Sequence, residues 1–329
     1  MSTQRALTAL PTIDISPLTG KKSQSGEAVV RSIGDACHEI GFMVIRGHGI
    51  PEDTTSRLRG VVRQFFARPL EEKSALSITR DNYRGYIPLG FFTPNSANGA
   101  ADRYEGYKLH AETDATDPIC ADCNLYGPNK WPDQPVGFRE AVLDYWQECD
   151  RVASTLLDAL AVALGVDPAV FRRAFKKPLT NMTLLHYPPQ APGADGFGIH
   201  PHKDTDALTI VAPDPVGGLY VRQKGRDEWI SADAPDDALI VNIGDMLETW
   251  SGGYYVSTPH KVVNSTGQAR HSFPYFAVPR FDVRITPLCE PLQGFERADL
   301  TVGDVSREIW QSNWPDAAAV DDRYDPATL

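Results

Sequence analysis

The sequence predicts a mainly β protein whose β core carries helices on its outside, and three observations lead there. From Thr183 onward the chain runs in short apolar or alternating segments, broken by Pro188-Pro189, Gly217-Gly218, Gly244-Asp245 and Gly252-Gly253, which is the punctuation of a sandwich or barrel. Gly137 to Leu164 instead repeats Phe138, Val142, Tyr145, Trp146, Cys149, Val152, Leu156, Leu157, Leu160 and Leu164, the spacing of a long helix with one face to bury. No internal repeat, low-complexity tract or obvious flexible linker separates the two regions, so a single unit over residues 1–329 is the economical reading.

The elements follow in order. Leu10-Pro11-Thr12-Ile13-Asp14-Ile15 reads as a short strand, and Gly26 to Ile40 as a helix through Val29, Val30, Ile33, Ala36, Cys37 and Ile40. Phe42-Met43-Val44-Ile45, bounded by Gly41 and Gly47-His48-Gly49, is a second strand, and Pro51-Glu52-Asp53 opens a helix toward Phe66. The N-terminal third is therefore mixed α and β, and the long helix should pack one face on a sheet.

Composition limits the function. With 42% hydrophobic and 23% charged residues, the chain has ample material for a core and is an ordinary globular protein. A net charge of −11 argues against a nucleic-acid partner, which would need a basic face. No apolar run is long enough for a membrane span, and Met1 to Ala6 lacks a signal peptide's layout, so no membrane partner and a cytoplasmic location are expected. Five cysteines (Cys37, Cys120, Cys123, Cys149, Cys289) do not resemble a disulfide framework, and reduced thiols follow. Cys120 and Cys123 form a CxxC with no second pair for zinc and no βαβ setting for redox chemistry, so they read as a coincidence in a loop.

Gly198-Ile199-His200-Pro201-His202-Lys203-Asp204 places His202 and Asp204 on one face if the segment is a strand. Alone, an HxD pair is an ordinary coincidence. Ser257-Thr258-Pro259-His260-Lys261-Val262 offers a third ligand, His260, from another expected strand. Two histidines and a carboxylate leave three positions open, the set suited to iron(II) oxygenases, which must hold a bidentate co-substrate and O₂ together. In Arg270-His271-Ser272, the outer two residues again share a strand face, and a guanidinium with a hydroxyl can clamp a carboxylate. A solvated surface arginine is the ordinary alternative.

These residues, taken with others along the chain, resemble the isopenicillin N synthase-like family of 2-oxoglutarate/iron(II) dioxygenases. The resemblance runs through Leu10-Pro11-Thr12-Ile13-Asp14, Ile40-Gly41-Phe42-Met43-Val44-Ile45-Arg46-Gly47-His48-Gly49-Ile50, Pro69-Leu70-Glu71-Glu72-Lys73, Tyr83-Arg84-Gly85-Tyr86 and Leu125-Tyr126-Gly127-Pro128-Asn129-Lys130-Trp131-Pro132. It continues through His202-Lys203-Asp204 with Leu208-Thr209, Gly217-Gly218-Leu219, Asn242-Ile243-Gly244-Asp245, Ser257-Thr258-Pro259-His260 and Arg270-His271-Ser272. Gly47 stands where the family has Asn, and Leu185 replaces the Asn of its NYYP segment.

The resemblance implies a distorted double-stranded β-helix, or jelly roll, with a mixed region over about 1–165, the iron and 2-oxoglutarate core over about 180–285 and a C-terminal segment over 286–329. It assigns Fe(II) to His202, Asp204 and His260, and 2-oxoglutarate to Arg270 and Ser272. Tyr187 would hydrogen-bond the co-substrate, or else pack as a core tyrosine. His200 is at most a support or a substrate contact, while His48 and His186 are structural. Tyr107 and His110 either line the substrate pocket or belong to an ordinary strand, the second being favoured. The implied activity is oxidation of an unactivated C–H bond of a small molecule, hydroxylation by default and desaturation or ring formation otherwise, with O₂ consumed and succinate and CO₂ released. A monomer or homodimer is expected, with specialised metabolism as the family's setting. Two rivals stand beside this: an isopenicillin N synthase-type oxidase that uses no 2-oxoglutarate, and an inactive small-molecule-binding protein on the same fold.

Overall fold

Two β-sheets enclose a shared interior in the computed structural model, which describes residues 7–18, 24–92, 101–192, 196–312 and 314. The leader Met1 to Ala6 and the far end of the C-terminal segment lie outside the described residues. In chain order the elements are β1 (Thr12–Asp14), α1 (Gln24–Glu39), β2 (Phe42–Arg46), α2 (Glu52–Phe66), α3 (Leu70–Ser74), β3 (Gly85–Ile87), β4 (Glu105–His110), α4 (Ile119–Asp122), α5 (Phe138–Leu164) and α6 (Ala169–Ala174). There follow β5 (Asn181–Tyr187), β6 (Ile199–His202), β7 (Leu208–Val211), β8 (Leu219–Arg222), β9 (Trp229–Ser231), β10 (Leu239–Ile243), α7 (Asp245–Trp250), β11 (His260–Val262), β12 (Arg270–Ser272), β13 (Tyr275–Ala277), β14 (Arg284–Ile285), β15 (Leu300–Thr301) and α8 (Val302–Ser312).

The larger sheet has the order β1-β2-β10-β7-β13-β5-β4-β3, with β12 also pairing β5, and the smaller has β6-β11-β8-β9. Their inner faces meet through Leu185 and Tyr187 against Val262, with Ile199 and Leu219 alongside, and through Phe42, Val44 and Ile240 against Val221 and Ile230. The outer face of the larger sheet receives the helices, where Phe65 of α2 and Phe138 of α5 pack edge-on against Tyr107 of β4 and tilted against each other. This is the expected jelly roll with flanking helices. The N-terminal region is woven into it, since β2 lies between β1 and β10 and β3 and β4 form the opposite edge.

The long helix ends because Gly165 adopts φ 76, letting its N–H reach Val162 O while that of Val166 reaches Ala161 O, a left-handed cap that favours glycine. Gly41, at φ +67, has a different reason. A Cβ there would lie 1.9 Å from Val256 O, so only glycine lets the segment leading to β11 approach the turn between α1 and β2. That segment is fixed by Val256 N–H on Cys37 O at 3.0 Å and by Thr258 Oγ1 donating to Ile40 O at 2.6 Å.

Two expectations need correction. The strand carrying the HxD pair ends at His202, so Asp204 sits in the connection to β7 rather than on the strand. Within β6, His202 pairs with His260 but Ile199 with Val262. Three steps on one strand thus oppose two on the other, a bulge that turns His202 inward and gives His200 a different direction. Cys120 and Cys123 are free, with Cys120 on the short α4 and Cys123 capping it, not in an irregular loop.

Outside the interior, Glu105 of β4 accepts from Lys73 Nζ at 2.7 Å, Tyr86 Oη at 2.5 Å and His186 Nδ1 at 2.8 Å. Burial works to raise the Glu105 pKa but is outweighed by the bonds from His186, Lys73 and Tyr86, which hold it below the usual range. Breaking one side of a buried pair costs ~3–5 kcal/mol, whereas replacing both by apolar groups is near neutral. Glu105→Leu is therefore expected to lower the urea midpoint by an amount worth ~3–5 kcal/mol, with Lys73→Met added in the same chain recovering most of it. Additive losses in the double variant would show that the pair is not coupled.

Candidate metal centre

His202 closes β6, His260 opens the adjacent β11, and the connection after β6 folds Asp204 back between them. One donor atom from each lies within 4.8 Å of the others. The Asp204 Oδ1 is 3.7 Å from Nε2 of both histidines, and the two rings are 4.2 Å apart at their centroids. Asp204 and His260 are almost covered, at 7% and 9% side-chain exposure, while His202 is 26% exposed. The open side of the cluster is thus the His202 side.

Each donor is aimed by a neighbour. His202 Nδ1 lies 2.8 Å from His200 O and His260 Nδ1 lies 3.2 Å from Thr258 O. A carbonyl can only accept, so both Nδ1 atoms carry the proton and both Nε2 lone pairs face inward. Burial, and then the His202 charge, push His260 down to about 4 against the opposing pull of Asp204, which keeps it neutral and ready to ligate. Asp204 stays ionised: burial acts to raise its pKa but is outweighed by His260, His202 and the hydrogen bonds from Thr209 and Asn242.

Asp204 Oδ2 accepts from Thr209 Oγ1 at 2.5 Å and from Asn242 Nδ2 at 2.7 Å. Thr209 Oγ1 also lies 2.9 Å from Asp206 Oδ2, yet a hydroxyl has one proton to give. Asp206 is held well above the carboxylate range by burial and by the charge of Asp204, so it is protonated and donates to Thr209, which donates to Asp204. Thr209 and Asn242 pair in register across β7 and β10. Sequence reasoning quoted both in motifs without seeing this role, because the pairing is a tertiary fact.

Arg270 and Ser272 are buried on β12 beside Tyr187 and Leu185 of β5. Arg270 donates from Nε to Gly217 O at 2.6 Å, lies 4.8 Å from the Tyr187 ring centroid and has no partner on Nη1. It borders a cavity of about 170 Å³ with Val211, Leu219 and Ile240. A buried guanidinium nitrogen with no acceptor calls for an anion from outside the chain. Burial is the main cause that lifts the Tyr187 pKa to about 12, with Arg270 pulling the other way, so its hydroxyl is protonated and can donate. The donor set and this orphaned nitrogen together fit a divalent metal with a small dicarboxylate beside it.

The remaining histidines divide as expected for His48 and His186. Nδ1 of His48 accepts from Ile50 N at 3.1 Å, leaving Nε2 to donate to Asp237 O at 3.0 Å, while His186 bonds Glu105 on the helix side. His200 Nδ1 is 2.6 Å from Asp102 Oδ1, its ring lies outside the cluster of three converging donors, and its carbonyl orients His202. Tyr107 is a core residue whose hydroxyl donates to Lys130 O at 2.9 Å.

Two family models match the chain: the N-terminal model of the non-haem dioxygenase in morphine synthesis over residues 10–134, and the 2OG-Fe(II) oxygenase superfamily over residues 179–279. The 2-oxoglutarate-dependent dioxygenase thnC of Trichoderma harzianum is 34% identical over 80% of this chain and 82% of its own length. Homoarginine-6-hydroxylase 2-ODD-C23 of Glycine max is 33% identical over 85% and 88%. A full-length Neurospora crassa protein, solved in complex with alpha-KG and thymine, shares the fold, with a TM-score of 0.79 at 23% identity over 93% of this chain and 97% of that one.

The geometry predicts the behaviour of single variants. Asp204→Ala or His260→Ala should weaken Co(II) binding, read from visible absorption, at least 100-fold, while far-UV circular dichroism stays unchanged. Thr209→Val should weaken it about 10-fold, because the carboxylate loses its aim but not its charge. Wild-type affinity in His260→Ala would exclude this cluster as the metal site.

Proposed function

The chain belongs to the 2-oxoglutarate/iron(II) oxygenase superfamily, and from that premise we propose that His202, Asp204 and His260 hold the iron, that Arg270 and Ser272 hold the distal carboxylate of 2-oxoglutarate, and that a C–H bond of a small organic substrate is hydroxylated. It is a non-haem dioxygenase using iron(II), 2-oxoglutarate and O₂. The observation that carries the residue assignment is the convergence of three inward-facing donors, Nε2, Nε2 and Oδ1, with the unpartnered Nη1 of Arg270 on the same interior.

Bound iron(II) supplies the centre at which O₂ is reduced at the expense of 2-oxoglutarate, which leaves as succinate and CO₂. The chain's own residues set the conditions for that chemistry. Asp204 supplies one fixed negative charge, made permanent by Thr209 and Asn242. The backbone carbonyls of His200 and Thr258 hold the two imidazoles in one tautomer, so no proton need leave them on binding. Arg270, fastened by Gly217 O and stacked on Tyr187, gives a directional contact to a carboxylate. Tyr187 donates from its protonated hydroxyl, on the reading that makes it a co-substrate contact. Leu185, Val262, Ile199 and Phe42, whose ring edge meets His260 at 5.4 Å, line the interior with apolar surface and exclude water from it.

The substrate is a small molecule, as for the structural neighbours. The reading also keeps the enzyme in the cytoplasm as a monomer or homodimer. It is supported by five free cysteines and by the acidic net charge of −11, which does not suit a nucleic-acid partner. No helix among the described residues is long and apolar enough to cross a membrane.

Anaerobic addition of 2-oxoglutarate to the iron(II)-loaded protein should produce a saturable visible charge-transfer band, absent in His202→Ala. Arg270→Ala should raise the 2-oxoglutarate concentration for half-saturation roughly 10- to 100-fold, the loss expected for a charged hydrogen-bond pair, with the iron requirement unchanged. A band with the same 2-oxoglutarate dependence in Arg270→Ala would remove Arg270 from the co-substrate site.

A further inference from the structure

A second polar cluster lies on the inner face of the larger sheet. Along β4 and β5 the inward row pairs Gly106 with Leu185, Lys108 with Thr183 and His110 with Asn181, and the same row continues onto β12 as Ser272 opposite Leu185 and Arg270 opposite Tyr187. Lys108 therefore faces the same interior as Arg270. Thr183 and Tyr187 stand four residues apart on β5, about 13 Å at the usual strand rise, so one short diacid held at Arg270 does not also reach Lys108.

The Lys108 ammonium donates to Asn181 Oδ1 at 2.5 Å and Thr183 Oγ1 at 3.1 Å, and lies 5.2 Å from the Phe276 ring centroid. Phe276 pairs in register with Thr209, the residue that holds Asp204, so the lysine shares the inner face with the residues that support the metal cluster, at a different level of β5 from Arg270. Both of its bonded acceptors are neutral, and among the described residues no carboxylate is in contact with it. A deep positive charge with only neutral partners is costly unless an anion joins it. Asp204 and Asp206 act on it from a distance, but neither carboxyl is within ion-pair reach, and Asp204 faces the two histidines.

Exposure varies sharply around the lysine. Lys108, His110, Asn181 and Phe276 are only partly covered, whereas Thr183, Leu185, Tyr187 and Thr209 beside them are buried. Trp310 of α8 lies over His110, 6.1 Å between ring centroids. Neither ring nitrogen of His110 nor the indole Nε1 of Trp310 has a hydrogen-bond partner of normal geometry, although buried donors are seldom left without one. Burial pushes His110 well down, against the opposing pull of the Tyr83 backbone, so its ring is neutral and adds no second charge beside Lys108.

We propose that Lys108, assisted by Asn181, anchors a carboxylate of the primary substrate, at a separate point of the interior from the 2-oxoglutarate carboxylate at Arg270. The inference rests on the oxygenase reading and deepens it: the substrate class is a small carboxylic acid, oxidised at a carbon remote from its acid group. The compact ammonium at one end and the planar guanidinium at the other keep the two acids apart, since only the second is built for a bidentate grip.

Succinate release by the iron(II)-loaded enzyme, with 2-oxoglutarate and O₂, tests this on a panel of six- to twelve-carbon aliphatic and arylacetic monocarboxylates, each paired with its primary amide. Acids should act at concentrations at least 10-fold lower than their amides. Lys108→Met should erase that preference and Lys108→Arg should keep it, while the 2-oxoglutarate charge-transfer band and the melting temperature stay at wild-type values in both. Lys108→Gln is a second charge-free variant should the methionine not fold. A panel in which no acid outperforms its amide overturns the proposal, as does a preference that survives Lys108→Met. A 10-fold rise in the 2-oxoglutarate requirement of Lys108→Met also overturns it, by moving the lysine to the co-substrate. Absence of both the band and any succinate in the wild type would instead strike the oxygenase reading itself.

Discussion

Asp204 keeps a negative charge in the space between two sheets, where an isolated carboxylate would be neutralised by protonation rather than remain charged. It remains ionised because Thr209 and Asn242 donate to one of its oxygens while two imidazoles face the other. Those partners come from β6, β7, β10 and β11, two strands from each sheet. The charge can therefore exist only after both sheets have closed, and the site is a product of the whole fold. Asp206 shows the complementary solution: a second carboxyl in the same low-dielectric space takes up a proton and becomes a donor.

The N-terminal region has a mechanical part in this. His260 is aimed by Thr258 O, and Thr258 is tied to Ile40 at the end of α1. Gly41 makes that tie possible by allowing the backbone of Val256 to come close. Ser257 N–H on Glu248 Oε1 at 3.0 Å fastens the same segment to α7. A helix and strand far from His260 in sequence thus set the position of this proposed ligand. Rigid support from several elements is what a site of fixed geometry needs.

Charge is distributed on the two faces of the larger sheet for different ends. On the helix side, Lys73 and Glu105 satisfy each other, with Tyr86 and His186 completing the carboxylate's bonds. On the inner side, Arg270 has a nitrogen with no partner and Lys108 has hydrogen bonds only to neutral acceptors. Both sides obey the rule that buried charge seeks a partner. The difference is that the first pair is closed within the chain, whereas we propose that the second two residues take their partners from outside it.

The sequence alone determined the class of fold and the components of the chemistry. Periodicities of 3.6 and 2 record which residues are buried on one face, so α5, α2 and β2 were legible, as was the sheet-rich character after Thr183. The pattern of His202, Asp204, His260, Arg270 and Ser272 was legible because ligand types and same-face spacing are local properties. Tertiary structure decided what depends on contacts between distant segments. The bulge in β6, which separates His202 from His200, is set by pairing with β11. Protonated Asp206 is a consequence of two carboxyls sharing one dry space. His110 looked like a member of an ordinary strand, and Lys108 beside it drew no notice, because alternation says which residues share a face but not what that face meets. Only the folding of the larger sheet and the placing of α8 brought Lys108 beside Phe276 and Trp310 over His110.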